Sequence, residues 1–318
     1  MYSLSSSYLT ISCHYVRDGY PNRISSTPKY KSNIRRTING NLMKRIILGL
    51  LMSCSGLSMA SGQAPEMTDK NGYIEPFKMF DNVYYVGDKW VSSYAVETND
   101  GLVIIDSLDF PYSKWIPINL RKLGLEGRGV THVLVTHGHS DHVGGAQYLQ
   151  EMYDAKVVMT KSAHELSIQQ LKEAKELNKF IPPKLDIEIK DDVLMEFGGK
   201  EFKFYLTPGH TLGDYSLDFT VEDSDKEYRA FIVGGHSYSG KNPEMISMFL
   251  NSMDKVRNIA LQPPIVSVNL SNHPHKNYLF ENRDKLGNNG NPFISESSFF
   301  KFIEQQKSLA KGKVNTLN

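Results

Sequence analysis

Beyond Ala60 the chain holds no cysteine: its two, Cys13 and Cys54, both lie near the start. A body beginning at Ser61 therefore has no disulfide, no thiolate nucleophile and no sulfur ligand for a metal. Strong charge of one sign is also missing. The whole chain carries a net +1, but eight Lys/Arg and one acid, Asp18, precede Ser61. That leaves 28 basic against 34 acidic residues in the body, a net of −6. A mildly acidic body argues against a general nucleic-acid or anionic-membrane binder. No G-x-S-x-G elbow is present, so a serine hydrolase of that type is excluded. No linker, repeat or low-complexity tract divides the residues after Ser61, which predicts one domain over 61–318.

The charge imbalance at the start has a cause. From Met43 the sequence reads "MKRIILGLLMSCSGLSMASGQ": two basic residues, a short apolar run from Ile46 to Met52, then small residues around Ala60. That is the anatomy of a secretory signal over 43–60, and it predicts a periplasmic or secreted protein. The apolar run is too short to span a bilayer. Lipid attachment at Cys54 is the alternative outcome. Residues 1–42 are Ser/Tyr/Arg-rich without periodicity and are either a disordered extension or a start assigned too far upstream, with Met43 the true start.

Short β-rich runs follow: "VYYVG", "SSYAVET" and "GLVIIDS", separated by turn residues. A helix is predicted over Tyr112–Leu123, then the strand "THVLVT", the helix "GGAQYLQEMYD" and the strand "AKVVMT". A polar helix over Ala163–Lys179 precedes "LDIEIK", "EFKFYLTPGH", "YSLDFTV" and "YRAFIVGG". A helical unit from Pro243, the run "IVSVNLSNHP" and C-terminal helices complete the chain. Strands preceding helices twice over predict two sheets face to face with helices outside.

Chemistry is concentrated in "VTHGHSDHVGGA", Val135 to Ala146. His137 and His139, two apart in extended backbone, reach the same side and can grip one cation. Asp141 and His142 follow after the chain turns and aim at a neighbouring point. Gly144 and Gly145 let the backbone turn tightly beside the site. Two further apolar strands each deliver one histidine from their ends: His210 in "TPGHT" and His273 in "LSNHP". Six N/O ligands and no sulfur differ from a closed structural zinc site. Three ligands per ion leave room for water, which is the layout of a hydrolytic dizinc site. His132, His164 and His275 read as structural or solvent-facing, and the aromatics of "FKMFDNVYYVG" as core.

From about Phe77 onward these residues resemble the metallo-β-lactamase superfamily. The resemblance implies a four-layer αββα sandwich with metals at the edge between the sheets. It assigns His137, His139 and His210 to a first zinc and Asp141, His142 and His273 to a second. A second site with His142 and no cysteine resembles the third subclass of class B β-lactamases, and "NPFI" at Asn291–Ile294 points the same way. Two features depart from the pattern. Members of that subclass often carry a disulfide, which this body cannot form. "VGGHSYSG" falls where many superfamily hydrolases place a metal-bridging aspartate, and it contains none. His236 either supports its neighbours or sits beside the metals; Ser237 and Ser239 are candidates for binding a substrate carboxylate, and Lys241 for offering charge.

The implied chemistry is attack on a carbonyl by a hydroxide shared between two zinc ions, with Asp141 orienting it and relaying its proton. The expected partner is a small molecule, a β-lactam including carbapenems. Another hydrolase of the fold, a lactonase or thioesterase, is the alternative, and a non-catalytic zinc-binding protein is the third reading.

Overall fold

A computed structural model describes residues 63–173, 179–238, 240, 242–287 and 290–314 of the chain. The expectations for 1–42 and for 43–60, together with Ser239 and Lys241, fall outside these residues.

The strands form two sheets. The first holds seven strands in spatial order β1 to β7: Phe77–Phe80, Val83–Tyr85, Tyr94–Thr98, Gly101–Ile105, Val130–Leu134, Lys156–Met159 and Ile187–Glu188. β1 to β4 run antiparallel, and β4 to β7 pair in parallel. β4, "GLVII", is buried along its whole length, as a strand covered on both faces must be. The crossovers are helical: α1 (Trp115–Lys122), a single turn α2 (Ser140–Val143) with α3 (Ala146–Tyr153), and α4 (Lys161–Glu173).

The second sheet has the order β12-β11-β10-β9-β8, with β8 Val193–Phe197, β9 Lys200–Leu206, β10 Tyr215–Asp223, β11 Lys226–Val233 and β12 Val268–Ser271. Its one parallel pair, β11 with β12, is bridged by α5 (Pro243–Ala260). Asn242 caps that helix, its side chain accepting from the N–H groups of Glu244 and Met245, and Pro243 sits where its missing N–H costs nothing. α6 (Leu279–Arg283) and α7 (Glu296–Val314) end the described chain.

Three apolar clusters explain the layering. Phe80, Tyr94, Val103, Phe204, Leu217 and Leu270 fill the space between the sheets. Leu102, Ile104, Ile116, Val133 and Leu149 join the first sheet to its helices. Phe231, Phe249, Val256 and Phe299 join the second sheet to α5 and α7. The alternation of strand faces thus gives the expected αββα sandwich. No helix among the described residues is long and apolar enough to cross a membrane.

The sequence reading omits two strands, β1 and β8; of β1, "FKMF", it names only the aromatics, as core. β8, "VLMEF", pairs with β9 through a hairpin whose turn residues, Gly198 and Gly199, both have positive φ, the backbone that a two-residue hairpin turn demands. Elsewhere the bounds shift slightly: β5 ends at Leu134 rather than Thr136, and helical hydrogen bonding begins at Ser140, before the glycines.

Candidate metal centre

The six metal-grade residues named from the sequence converge at one edge of the sandwich. β5 delivers His137 and His139 just past its C-terminal end, and α2 turns Asp141 and His142 inward. His210 comes from the β9–β10 loop and His273 from the residue pair after β12. Carboxyl ends of parallel strands are where α/β sheets leave such crevices.

Two overlapping groups emerge. One ligand atom each from His137, His139 and His210 lie within 4.8 Å of one another, as do those from His137, Asp141 and His142. His139 Nδ1 lies 2.9 Å from His210 Nε2. The Asp141 carboxylate lies 3.2 Å from His142 Nε2 and 3.6 Å from His273 Nε2. Nε2 of His137 and of His142 are buried with no hydrogen-bond partner. Such orphans are rare in folded proteins, and bound cations at the cluster would satisfy both.

In His142, His273, His210 and His137 the Nδ1 side of the ring is held. His142 Nδ1 donates to Asp106 at 2.8 Å, His273 Nδ1 to the Trp90 carbonyl at 2.7 Å, and His210 Nδ1 to the Ser237 carbonyl. His137 Nδ1 is 3.2 Å from the Thr136 hydroxyl. Fixing one nitrogen as N–H leaves the other as a lone pair for a metal.

The electrostatics agree with this. Burial drives His137 well below the ordinary imidazole range. Burial, helped by a neighbouring imidazole in each case, brings His210 and His273 to about 4. Burial also opposes ionisation of Asp141, but His142 and His273 outweigh it and hold the carboxyl well below its usual range. For His142, burial is overcome by Asp141 and Asp106, which lift it to about 10. An ionised carboxylate among crowded imidazoles is a charge distribution that a bound divalent cation completes. The residues present fit such an ion.

A cavity of about 190 Å³ opens onto the cluster, lined among others by His137, His210, His236, Ser237, His273 and Lys276. His236 is buried, donates from Nδ1 to Asn272 at 2.6 Å and packs 5.1 Å from the His273 ring. Ser237 lines the same wall. His275 is not merely solvent-facing: it borders the cavity, its ring 5.7 Å from that of His273. His132, stacked on Phe197, and His164, bonded to the Pro183 carbonyl, are structural as read.

The glycines after His142 act differently from the expectation. Gly144 and Gly145 have ordinary negative φ. What excludes a side chain is proximity: a Cβ on Gly145 would lie 2.3 Å from the Ser107 carbonyl oxygen, and one on Gly144 2.4 Å from that of Ser140.

Three residues escaped the sequence reading. Asp106 ends "GLVIID", 1% exposed with φ +57°, and accepts from the Thr136 N–H (2.8 Å), the Thr136 hydroxyl (2.9 Å) and His142. An acid closing a fully apolar strand was the available signal. Asp214, pushed up to about 8 by burial, accepts from the N–H groups of His210 and Thr211 and so fixes the turn that carries His210. Lys276, three residues past His273, brings a cation to the cavity wall.

Comparison with known proteins bears on this geometry. Residues 87–223 match the family model of the metallo-beta-lactamase superfamily. Over 144 residues the chain is 31% identical to a hydroxyacylglutathione hydrolase of Rhodopseudomonas palustris (strain BisB5), covering 44% of this chain and 48% of that protein. The chain thus spans about half the length of the curated relatives it matches. In structure it resembles BJP-1, a subclass B3 metallo-beta-lactamase of Bradyrhizobium japonicum, with TM-score 0.67 and 24% identity over 77% of this chain and 97% of that one. It is also similar to the native FEZ-1 metallo-beta-lactamase from Legionella gormanii, with TM-score 0.69 and 22% identity over 77% and 97% of the two chains.

Proposed function

We propose that this metallo-β-lactamase superfamily hydrolase is an exported dizinc enzyme that opens β-lactam rings, carbapenems included. The observation that supports this most is the composition of the second ligand group. Asp141, His142 and His273 face one another, and the segment after β11 that lines the cavity supplies Gly235, His236 and Ser237 but no carboxylate. His137, His139 and His210 would hold one ion, and Asp141, His142 and His273 the other.

Two bound zinc ions would lower the pKa of a water between them and polarise a carbonyl oxygen. The chain's own residues do the rest. The imidazoles of His137, His210 and His273, whose hold on a second proton burial weakens, stay neutral and presented as ligands. Asp141, ionised, accepts the proton of the attacking water and returns it to the amide nitrogen as the carbon–nitrogen bond breaks. His236, with Nδ1 engaged by Asn272, leaves Nε2 for substrate. Ser237 and Lys276, on the cavity wall, suit an anionic group on it; Ser239, read from the sequence for the same role, lies outside the described residues.

The hydroxyacylglutathione hydrolases among the relatives favour a second reading, thioester or lactone hydrolysis by the same centre. Steady-state assays of the zinc-loaded protein on a penicillin, a carbapenem, an acyl-homoserine lactone and a hydroxyacylglutathione thioester separate the two. Turnover of the lactams is expected; a lactone or thioester cleaved far faster than both lactams refutes the lactamase reading. Export is tested by intact mass of periplasmic material, expected to begin near Ser61. A species retaining residues 1–42, or a lipidated Cys54, contradicts it.

A further inference from the structure

We propose that Asp88 is a positioning residue for His273, setting that imidazole's tautomer and direction through the loop between β2 and β3. The proposal rests on the reading of His273 as a metal ligand.

Asp88 lies in "VGDKWVSS", 4% exposed, and no salt bridge to it occurs among the described residues. A buried carboxylate without a cation is costly, so its retention calls for a reason. Its Oδ1 accepts two backbone hydrogen bonds, from Trp90 N and Val91 N, both at 2.7 Å. These close the turn together with the Asp88 N–H to the Val91 carbonyl at 3.0 Å. Bonds to an ionised acceptor are about twice as strong as neutral ones, which suits a turn that must not move.

The loop is clamped from behind. Lys89 N donates to the Gly72 carbonyl at 2.8 Å, the Tyr85 hydroxyl donates to the Asp88 carbonyl, and the Trp90 indole lies on Gly72. A Cβ there would meet the indole at 2.1 Å, and φ is +81°, so glycine makes that seat. In front, the loop spans the sheets: Ser92 N donates to the Asn272 carbonyl at 3.0 Å, and the Trp90 carbonyl accepts from His273 Nδ1 at 2.7 Å.

The consequence follows from imidazole chemistry. Donating to a carbonyl requires the proton on Nδ1, which leaves Nε2 as a lone pair beside Asp141. Asp88 dictates where the Trp90 carbonyl points, because it holds the N–H of that same residue and of the next. Burial raises Asp88 to about 6, the sign of a carboxylate kept in place at a cost.

The test compares Asp88→Ala with Asp88→Asn, which keeps an acceptor oxygen of the same reach. In the metal-free protein, long-range ¹H–¹⁵N spectra report the His273 tautomer directly. The wild type and Asp88→Asn should show Nδ1–H, and Asp88→Ala a mixture. In zinc titrations against a competing chelator, Asp88→Ala should bind its second equivalent about 10- to 100-fold more weakly, with the first unchanged and Asp88→Asn close to wild type. Should Asp88→Ala not fold, Asp88→Glu, which keeps the charge but displaces the oxygen, carries the same expectation. The proposal is overturned if Asp88→Ala or Asp88→Glu retains the wild-type tautomer and second affinity, or if Asp88→Asn loses both. If the wild type binds a single equivalent, the two-metal reading fails, while the tautomer comparison still decides this one.

Discussion

Replacing Asp106 with Asn changes no heavy-atom count, yet the structure predicts a large effect on the metal centre. Asp106 accepts three hydrogen bonds: Oδ1 from the Thr136 N–H, Oδ2 from the Thr136 hydroxyl and from His142 Nδ1. Asparagine keeps its oxygen on the Thr136 N–H, because only an oxygen can accept there. Its NH2 group then takes the place of Oδ2 and faces His142 Nδ1. A donor opposite that nitrogen favours the imidazole tautomer with its proton on Nε2, the atom that must be free to bind a metal. Two bonds to a charged acceptor, at about 1.5–3 kcal/mol each, become neutral bonds near 1 kcal/mol or are lost. The penalty is about 1–4 kcal/mol if both survive as neutral bonds and about 3–6 kcal/mol if both are lost, shared between folding and second-site metal affinity. Asn also tolerates the left-handed backbone at this position, so the variant isolates the tautomer. Zinc titration with a chromophoric chelator should show the second equivalent weakened about 10- to 100-fold and the first little changed. Second-site affinity equal to the wild type would refute the argument.

Two further outcomes are expected. Asp88 is raised from the ordinary 3.8 to about 6 by burial, with Asp109 and Asp141 adding to the rise after its two backbone donors have lowered it; the folded state therefore holds this proton more tightly than the unfolded chain. That contribution favours folding at low pH and is lost as pH rises through about 4 to 6, amounting to about 3 kcal/mol at 1.36 kcal/mol per pH unit of displacement. Chemical denaturation of Asp88→Asn against wild type should show a difference near zero at pH 4 that grows in the variant's favour to as much as about 3 kcal/mol by pH 7–8, and a difference flat in pH contradicts the assignment. Asp141→Asn removes the carboxylate that faces both His142 Nε2 and His273 Nε2; turnover should fall by about 100-fold or more while the first equivalent of zinc is retained, and elemental analysis beside steady-state kinetics checks both.

The candidate ligands were legible in the sequence because they sit near strand ends. An apolar run fixes where a strand stops, and the first few residues past it are placed by that stop; His137, His210 and His273 lie three, four and two positions beyond β5, β9 and β12. Asp141 and His142 were legible from their spacing. Asp106 was not, because its role depends on a left-handed backbone bend and on β5 lying next to β4 in space. Asp88 and Trp90 were invisible for a similar reason: their effect on His273 crosses 183 positions of sequence. The strand β8 was missed because its burial alternates only weakly, with one fully buried residue in five, although the two glycines after it marked the hairpin.

The same division explains why the comparisons point in two directions. The family match over residues 87–223 contains His137, His139, Asp141, His142 and His210, the part that builds the centre. It stops before Gly235, His236, Ser237, Asn272, His273, His275 and Lys276, which make up most of the cavity wall. A thioesterase and a lactamase need the same cation-holding half, so likeness confined to it carries no preference between their substrates. Resemblance across 77% of the chain at 22–24% identity extends to the second half, but as fold. Substrate choice therefore rests on the wall after β11, where a glycine and a buried histidine stand and no carboxylate is supplied. What that wall admits beside Asp141, an amide nitrogen or a sulfur, would decide between the two proposed activities.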